Sequence, residues 1–375
     1  MRIAHVSDCY LPRTGGIETQ VRSLALAQAA RGDEVRVITA SPGHGSVRAG
    51  SDVVDGLPVE RIAMSLPGEI PVHPRTRARI VSFLGSHSVD VVHVHAGVIS
   101  PFAWGAVRAA RELGLPTVVT VHSVWGPLAR PVFRGVDALT RWSSWGAVLT
   151  AVSEVAAARI RAAVHRSVGV LPNGIDPVAW RAGPGQWRPE AGTLRVVSVL
   201  RMAPRKRVGP LLDVMARASV VLGPDVRLQG CLIGDGPERH RAERLARRRG
   251  LDVEFTGTLP AAGIRERFAR SDVFAQASVR ESFGIAALEA RTFGLPVVAR
   301  RQTGSGEFIT DGVNGVLADD DAGLARALVG LGRDPALLTR MRAYNESHEP
   351  EQTWPHVVAR AQGFYRQAGA AGGSA

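Results

Sequence analysis

Apolar residues recur along this chain in short unbroken runs, separated by longer stretches of mixed polarity. Runs at 2–7 and 34–40 read as buried strands, and the segment 17–31 between them carries apolar positions at helical spacing. The same alternation continues through Asp90-Val91-Val92-His93-Val94-His95, 117–121 and 147–152. A second series opens at Leu194–Leu200 and goes on through Leu228–Ile233. Strand and helix in alternation predict parallel sheets covered by helices, an α/β doubly wound architecture. Two such series in 375 residues predict two domains, 1–172 and 194–349. Gly183-Pro184-Gly185 and Arg188-Pro189-Glu190 mark 173–193 as a linker, and Thr353-Trp354-Pro355 opens a last amphipathic helix.

Composition narrows the class. No run reaches the roughly 18 apolar residues that a membrane span needs. The N-terminus reads as a first strand and lacks the apolar core of a signal peptide. Cys9 and Cys231 lie far apart and form no metal or redox pattern. These features predict a cytoplasmic chain. Charge is lopsided: 46 basic residues face 34 acidic ones, a net +12, and Lys206 is the single lysine. Such an excess suits nucleotide phosphates, an acidic membrane surface or nucleic acid, although a solvated basic surface gives the same count. Seven Trp and three Tyr are scattered, with no aromatic–basic platform, so nucleic-acid binding ranks low.

Candidate chemistry centres on Arg280-Glu281-Ser282-Phe283-Gly284-Ile285-Ala286-Ala287-Leu288-Glu289. A loop carries Glu281 and a helix is expected to start near Phe283. The free amides of its first turn suit a phosphate, while Glu289 can accept two adjacent hydroxyls, as a sugar or ribose clamp does. A helix-dipole acid followed by a solvated glutamate would look the same on spacing alone. Upstream, Tyr10-Leu11-Pro12-Arg13-Thr14-Gly15-Gly16 joins the first strand to its helix, and Gly15 and Gly16 let backbone approach a ligand closely. Arg201-Met202-Ala203-Pro204-Arg205-Lys206 follows the strand 194–200 and offers a planar fork and a point charge for phosphate. His95 and His122 end their strands, where open α/β sheets bind ligands, whereas His93 sits mid-strand as a structural residue. Segment 74–87 places Arg75, Arg77 and Arg79 on an exposed helix edge with Ile80, Phe83 and Leu84 facing inward. Ser153-Glu154 and Asp319-Asp320-Asp321 read as helix caps. Gly234-Asp235-Gly236 reads as a tight turn, since the third glycine of a dinucleotide fingerprint is missing. That absence argues against an NAD-dependent oxidoreductase. Thr303–Glu307 is a further glycine turn.

Taken in order, Gly15-Gly16, Pro172-Asn173-Gly174, Arg201 with Lys206, Gly234-Asp235-Gly236, Phe255-x-Gly257 and Glu281-x7-Glu289 resemble the signature of retaining, nucleotide-sugar-dependent glycosyltransferases of family 4 (group 1). The resemblance runs nearly end to end. It implies the GT-B fold, two Rossmann-like domains facing a cleft, with residues 350–375 crossing back onto the first domain. It implies that Arg201 and Lys206 neutralise the donor diphosphate and that Glu289 holds the ribose. Glu281 would hold the sugar hydroxyls, with the amides of Phe283, Gly284 and Ile285 assisting. Gly15 and Gly16 would face the diphosphate, His122 would line the reacting face, and no metal is expected. Two departures stand out: Leu200 and Arg207 occupy positions where the family usually has glycine. Similarity to phosphatidylinositol mannosyltransferases around Arg75–Arg79 and Glu281 points to GDP-mannose and a lipid acceptor beside an anionic membrane. His95 would be an acceptor-side candidate. UDP-glucose or UDP-N-acetylglucosamine with a soluble acceptor is the alternative, and a nucleotide-sugar 2-epimerase of the same architecture is the third.

Overall fold

The structure is a computed structural model that describes residues 1–13, 15–43, 49–63, 75–97, 100–126, 129–183, 187 and 189–372. Thr14, Pro74, Pro184, Gly185 and Arg188, which the sequence reading drew on, lie outside the described residues. The chain divides into two compact units, Met1–Gly174 with Gln352–Ala375, and Ile175–Glu351. Residues 175–193, read from sequence as a linker, group with the second unit.

The first unit runs β1 (Arg2–Ser7), α1 (Gly16–Ala29), β2 (Glu34–Thr39), β3 (Gly50–Val54), β4 (Leu57–Arg61), α2 (Thr76–Ser86), β5 (Val91–Ala96), α3 (Pro101–Glu112), β6 (Thr117–Val121), α4 (Ala129–Thr140), β7 (Val148–Ala151), α5 (Glu154–Val164) and β8 (Gly169–Val170). The C-terminal helix Trp354–Gly372 belongs to the same unit. Its sheet has the order β3-β4-β2-β1-β5-β6-β7-β8. β1, β5 and β6 pair in parallel, with His5 opposite His93, Ser7 opposite His95 and His95 opposite Thr120. Every residue of β5 and β6 is buried, as expected where helices cover both faces of a parallel sheet. Among the described residues of this sheet, β3 and β4 are the strands that pair antiparallel, in a hairpin at the sheet edge. Asp55 and Gly56 both take positive φ in its two-residue turn, which matches the twist of the strands it joins. Buried Arg61 fastens this hairpin: its Nε donates to Asp52 Oδ2 at 2.7 Å and its Nη1 to the Ser41 carbonyl at 3.1 Å.

The second unit contains α6 (Pro177–Trp180), β9 (Thr193–Val199), α7 (Val208–Leu222), β10 (Arg227–Ile233), α8 (Arg239–Arg248), β11 (Asp252–Gly257), α9 (Ala261–Ala269), β12 (Val273–Ala275), α10 (Ile285–Thr292), β13 (Val297–Arg300), β14 (Gly315–Ala318), α11 (Asp321–Arg333) and α12 (Pro335–Ser347). Its strands pair in parallel, in the order β11-β10-β9-β12-β13-β14. That is the doubly wound order of a dinucleotide-binding domain, and the winding reverses between β9 and β12. Loops leaving those two strands therefore flank the place where such sheets hold ligands. The predicted caps form as well: Ser153 Oγ accepts from Ala156 N–H, and Asp320 Oδ1 from Gly323 N–H.

Candidate active site

In the second unit, β9 delivers the segment Leu200–Arg207 and β12 delivers Gln276–Gly284. Lys206 Nζ and Glu281 Oε2 meet across this switch point at 2.5 Å, both side chains largely shielded. Ser278 Oγ also donates to the Lys206 carbonyl at 3.4 Å. Arg201 is exposed and, among the described residues, makes no ion pair. The segment that carries it is braced from beneath. Met202 N–H donates to the Asp235 carbonyl at 2.8 Å, and Glu238 N–H to the Met202 carbonyl at 2.9 Å. Gly234 makes this approach possible, because a methyl group there would overlap the Leu200 carbonyl.

Arg207 takes φ +57, the left-handed conformation that glycine adopts without strain. The departure noted in the sequence is thus a side-chain residue in a glycine's backbone position. Its guanidinium holds the conformation, donating to the Ala277 carbonyl at 3.0 Å and to both oxygens of Asp321 at 3.0 and 2.8 Å. Arg300 shares the same carboxylate at 2.5 Å. The acid cluster 319–321 is therefore divided between helix capping and arginine pairing.

α10 begins at Ile285 rather than near Phe283. Gly284 has φ +91, outside the range of any helical residue, so the first helical hydrogen bond runs from Leu288 N–H to the Gly284 carbonyl at 3.0 Å. The free amides of the first turn are accordingly those of Ile285, Ala286 and Ala287. The turn Thr303–Glu307 supports this segment: Gly304 N–H donates to the Glu281 carbonyl at 3.0 Å, and Ser305 Oγ to the Phe283 carbonyl at 3.3 Å. Phe283 is buried against Phe308. Glu289 is half-buried one turn into α10, and burial pushes its carboxyl up to about 8. None of the described residues bonds to it.

The first unit presents a different surface. Gly15 and Gly16 start α1, and a side chain at Gly15 would collide with the Glu18 carboxylate, which lies 3.5 Å from Arg13. Pro172-Asn173-Gly174 is pinned by Gln20, which donates to the Gly174 carbonyl and accepts from its N–H. Trp354 occupies the space a Gly174 side chain would need. His122 follows β6, with its N–H on the Ala96 carbonyl at 2.8 Å. Its ring bonds His95 at 3.0 Å and the side chain of Asn173, and burial lowers it to about 4. His95 is fully buried and well below its ordinary range, so it is held neutral.

His5, which sequence reasoning passed over, and His93, which it read as structural, pack against this pair. His5 lies at 2.9 Å from His95, and His93 packs beside both. One nitrogen each from His5, His93 and His95 falls within 4.8 Å of the others, but every ring nitrogen of the three is already hydrogen-bonded. The His-x-His spacing at 93 and 95 was the available signal, since it puts both rings on one sheet face. Asp8, at the end of β1, is pushed up to about 6 by burial and accepts from Phe102 N–H at 3.1 Å. Arg75, at the N-cap of α2, and Arg77 and Arg79 on it are exposed, while Ile80 and Leu84 are buried and Phe83 half-buried. Arg77 pairs with Glu112 at 2.8 Å.

Residues 185–348 match the family profile of group 1 glycosyl transferases, and residues 14–178 match that of glycosyltransferase family 4. A GDP-mannose-dependent α-mannosyltransferase of Mycolicibacterium smegmatis is 28% identical over 97% of both chains. A phosphatidyl-myo-inositol mannosyltransferase of Mycobacterium leprae is 28% identical over 99% of this chain and 98% of its own. Sucrose-phosphate synthase of Thermosynechococcus elongatus superposes with a TM-score of 0.75 over 99% of both chains at 20% identity, a likeness of fold alone. With its two doubly wound parallel-sheet units, the chain belongs to the group 1, family 4 glycosyltransferases and has their GT-B fold.

Proposed function

We propose that this glycosyltransferase moves mannose from GDP-mannose to an acceptor hydroxyl with retention of configuration, the acceptor being carried on an anionic lipid such as a phosphatidylinositol. The observation that carries the donor side is the meeting of Lys206 and Glu281 where the second sheet reverses its winding, with Arg201 exposed on the same β9 loop and Glu289 unpartnered among the described residues. In this reading the donor diphosphate takes Lys206 from Glu281 and recruits Arg201. Negative charge grows on the departing phosphate in the transition state, and two fixed cations stabilise it there. Glu281, released, accepts from the sugar hydroxyls, and Glu289 accepts from the ribose. The amides at the start of α10 assist, and the Gly15–Gly16 loop and His122 serve the diphosphate and the transferred sugar.

The reading is a front-face transfer in which the leaving phosphate takes the acceptor proton, rather than a double displacement through a covalent glycosyl-enzyme. With arginine and lysine meeting the phosphate charge, no metal is invoked. Mannose and the lipid acceptor are supported by the names of the two mannosyltransferase relatives and by the exposed arginine edge of α2.

The deciding experiment compares thermal stabilisation by GDP, UDP and ADP in the presence of EDTA. A nucleotide at about 100 times its Kd adds about 2.7 kcal/mol. Stabilisation by GDP alone, followed by mannose transfer to phosphatidylinositol vesicles, is the expected result. Stabilisation by UDP alone would overturn the donor assignment, and transfer to soluble acceptors only would overturn the lipid.

A further inference from the structure

The face of the first sheet beneath α1 and the C-terminal helix carries an unbroken row of hydrogen-bonded side chains. From one end it runs Thr150, Thr120, His93, Tyr365, Gln28, His5, His95, His122. The spacings in that order are 2.7, 2.7, 2.8, 2.9, 2.7, 2.9 and 3.0 Å. All members but His122 are buried, and His122 is the one that ends the row beside Asn173.

The direction of every bond in this row follows from its far end. Thr150 Oγ1 lies 3.2 Å from the Val119 carbonyl, which can only accept, so the Thr150 hydroxyl donates there. Thr150 must then accept from Thr120, and Thr120 from His93 Nε2–H. That leaves His93 Nδ1 with a lone pair, which accepts from the Tyr365 hydroxyl. The Tyr365 oxygen accepts from Gln28 Nε2–H, and this turns Gln28 Oε1 towards His5. His5 therefore carries its proton on Nε2 and presents Nδ1 to His95 Nε2–H. By the same step His95 presents Nδ1 to His122 Nε2–H. One carbonyl thus dictates the tautomer of a histidine seven side chains away.

We propose that this row fixes His122 as the Nε2–H tautomer, so that its Nδ1 faces the transferred sugar as a hydrogen-bond acceptor, and that Thr150, His93, Tyr365, Gln28, His5 and His95 are positioning residues for it. The proposal rests on the reading above that His122 meets the sugar. An imidazole lone pair aligns a sugar hydroxyl by accepting its proton, which an N–H in the same place cannot do. The Asn173 side chain is the hydrogen-bonding neighbour of His122 at this end of the row, and an amide can turn either its oxygen or its N–H towards a ring nitrogen, so it can follow the tautomer that the row sets. A neutral interior suits this arrangement, because protonating any member would put two donors face to face.

The test is Thr150→Val, which keeps the shape of the side chain and removes its hydroxyl. The Thr120 hydroxyl then has only His93 Nε2 to donate to, and every bond in the row reverses as far as His122. In protein labelled with 15N-histidine, two-bond proton–nitrogen spectra at neutral pH should report His122 as Nε2–H in the wild type and in Thr150→Ser. Thr150→Val should report Nδ1–H. The rate of transfer should fall about tenfold in Thr150→Val, the worth of one lost hydrogen bond, while KM for the donor stays within about twofold. If Thr150→Val does not fold, Gln28→Met removes the acceptor for His5 Nε2–H and should produce the same reversal. A His122 that keeps one tautomer in the folded variants, or is an imidazolium in the wild type, overturns the row. Reversal with an unchanged rate upholds the row and overturns the part given to His122 in transfer.

Discussion

Lys206 is informative because the rest of the chain uses arginine wherever it needs a cation. Its ammonium sits 2.5 Å from one oxygen of Glu281, a contact a point charge makes by itself and a planar fork shares between two nitrogens. Lys206→Arg should therefore keep the fold and its melting temperature, since a partly exposed pair contributes about 0–1 kcal/mol. Turnover should drop at least about tenfold, because the diphosphate would meet a displaced and broader cation. Steady-state kinetics beside a melting curve checks this, and wild-type turnover would show that any cation serves at 206. The neighbouring Glu289 has its proton affinity raised by burial with no cation to offset it. Unmet carboxyls of this kind mark places where a ligand completes the hydrogen bonding.

Among the elements, α10 shows how one residue sets the geometry of a site. Gly284 holds φ +91 and has no room for a methyl group beside Ser305 Oγ. Gly284→Ala should lower stability by about 2–4 kcal/mol, from the strained backbone and the forced repacking together. Nucleotide stabilisation should vanish with it, since Glu281 and the free amides lie on either side. Gly330→Ala in α11 is the control: nothing lies within 4 Å of the added methyl, so it should be neutral or slightly stabilising. Urea titration of both variants separates the effects, and equal midpoints would sink the argument. The start of α10 also marks a limit of sequence reading, because Ser282-Phe283-Gly284 looks like a helix entrance until the left-handed Gly284 is seen to delay it. Asp55-Gly56 carried a legible hairpin signal that the helical and strand runs around it drowned out. Arg207 was legible only as a departure from the family's glycine, and its partner was not. Its positive φ is stabilised by Asp321, 114 residues further on.

At the scale of the whole molecule, the two parallel sheets were legible because their strands are apolar on both faces and so stand out as unbroken runs. The histidine row was not, because His5 alone resembles any core residue and its meaning depends on Gln28 and Tyr365, which are 337 residues apart. The two units should answer pH in opposite senses. In the first, burial lowers His5 and His122 to about 4 and holds His93 and His95 well below their ordinary range, against 6.5 in an unfolded chain. As pH falls from 6.5 towards 4, the unfolded unit takes up protons that the folded one refuses, and stability falls. Asp8, raised from 3.8 to about 6, works in reverse but is one group against four. In the second unit, folded Glu289 keeps its proton up to about 8 whereas unfolded it loses it near 4.5, so stability falls as pH rises across that interval. Calorimetry should show a first-unit transition that weakens in acid and a second-unit transition that weakens in base. Glu289→Gln should flatten the second alone. Two transitions with the same pH course in both proteins would count against the assignment.

The pairing of Lys206 with Glu281 has a practical consequence. Apart from the terminal α-amino group, which lies against Asp33, Lys206 carries the only primary amine in the chain. An acylating reagent therefore finds one side chain to modify, and that side chain sits where the donor diphosphate is placed by our reading. The extent of labelling at this single position is a built-in occupancy gauge, read by mass on unmodified protein. Its protection by one nucleotide and not another would report donor choice without a mutation, a dye or an acceptor.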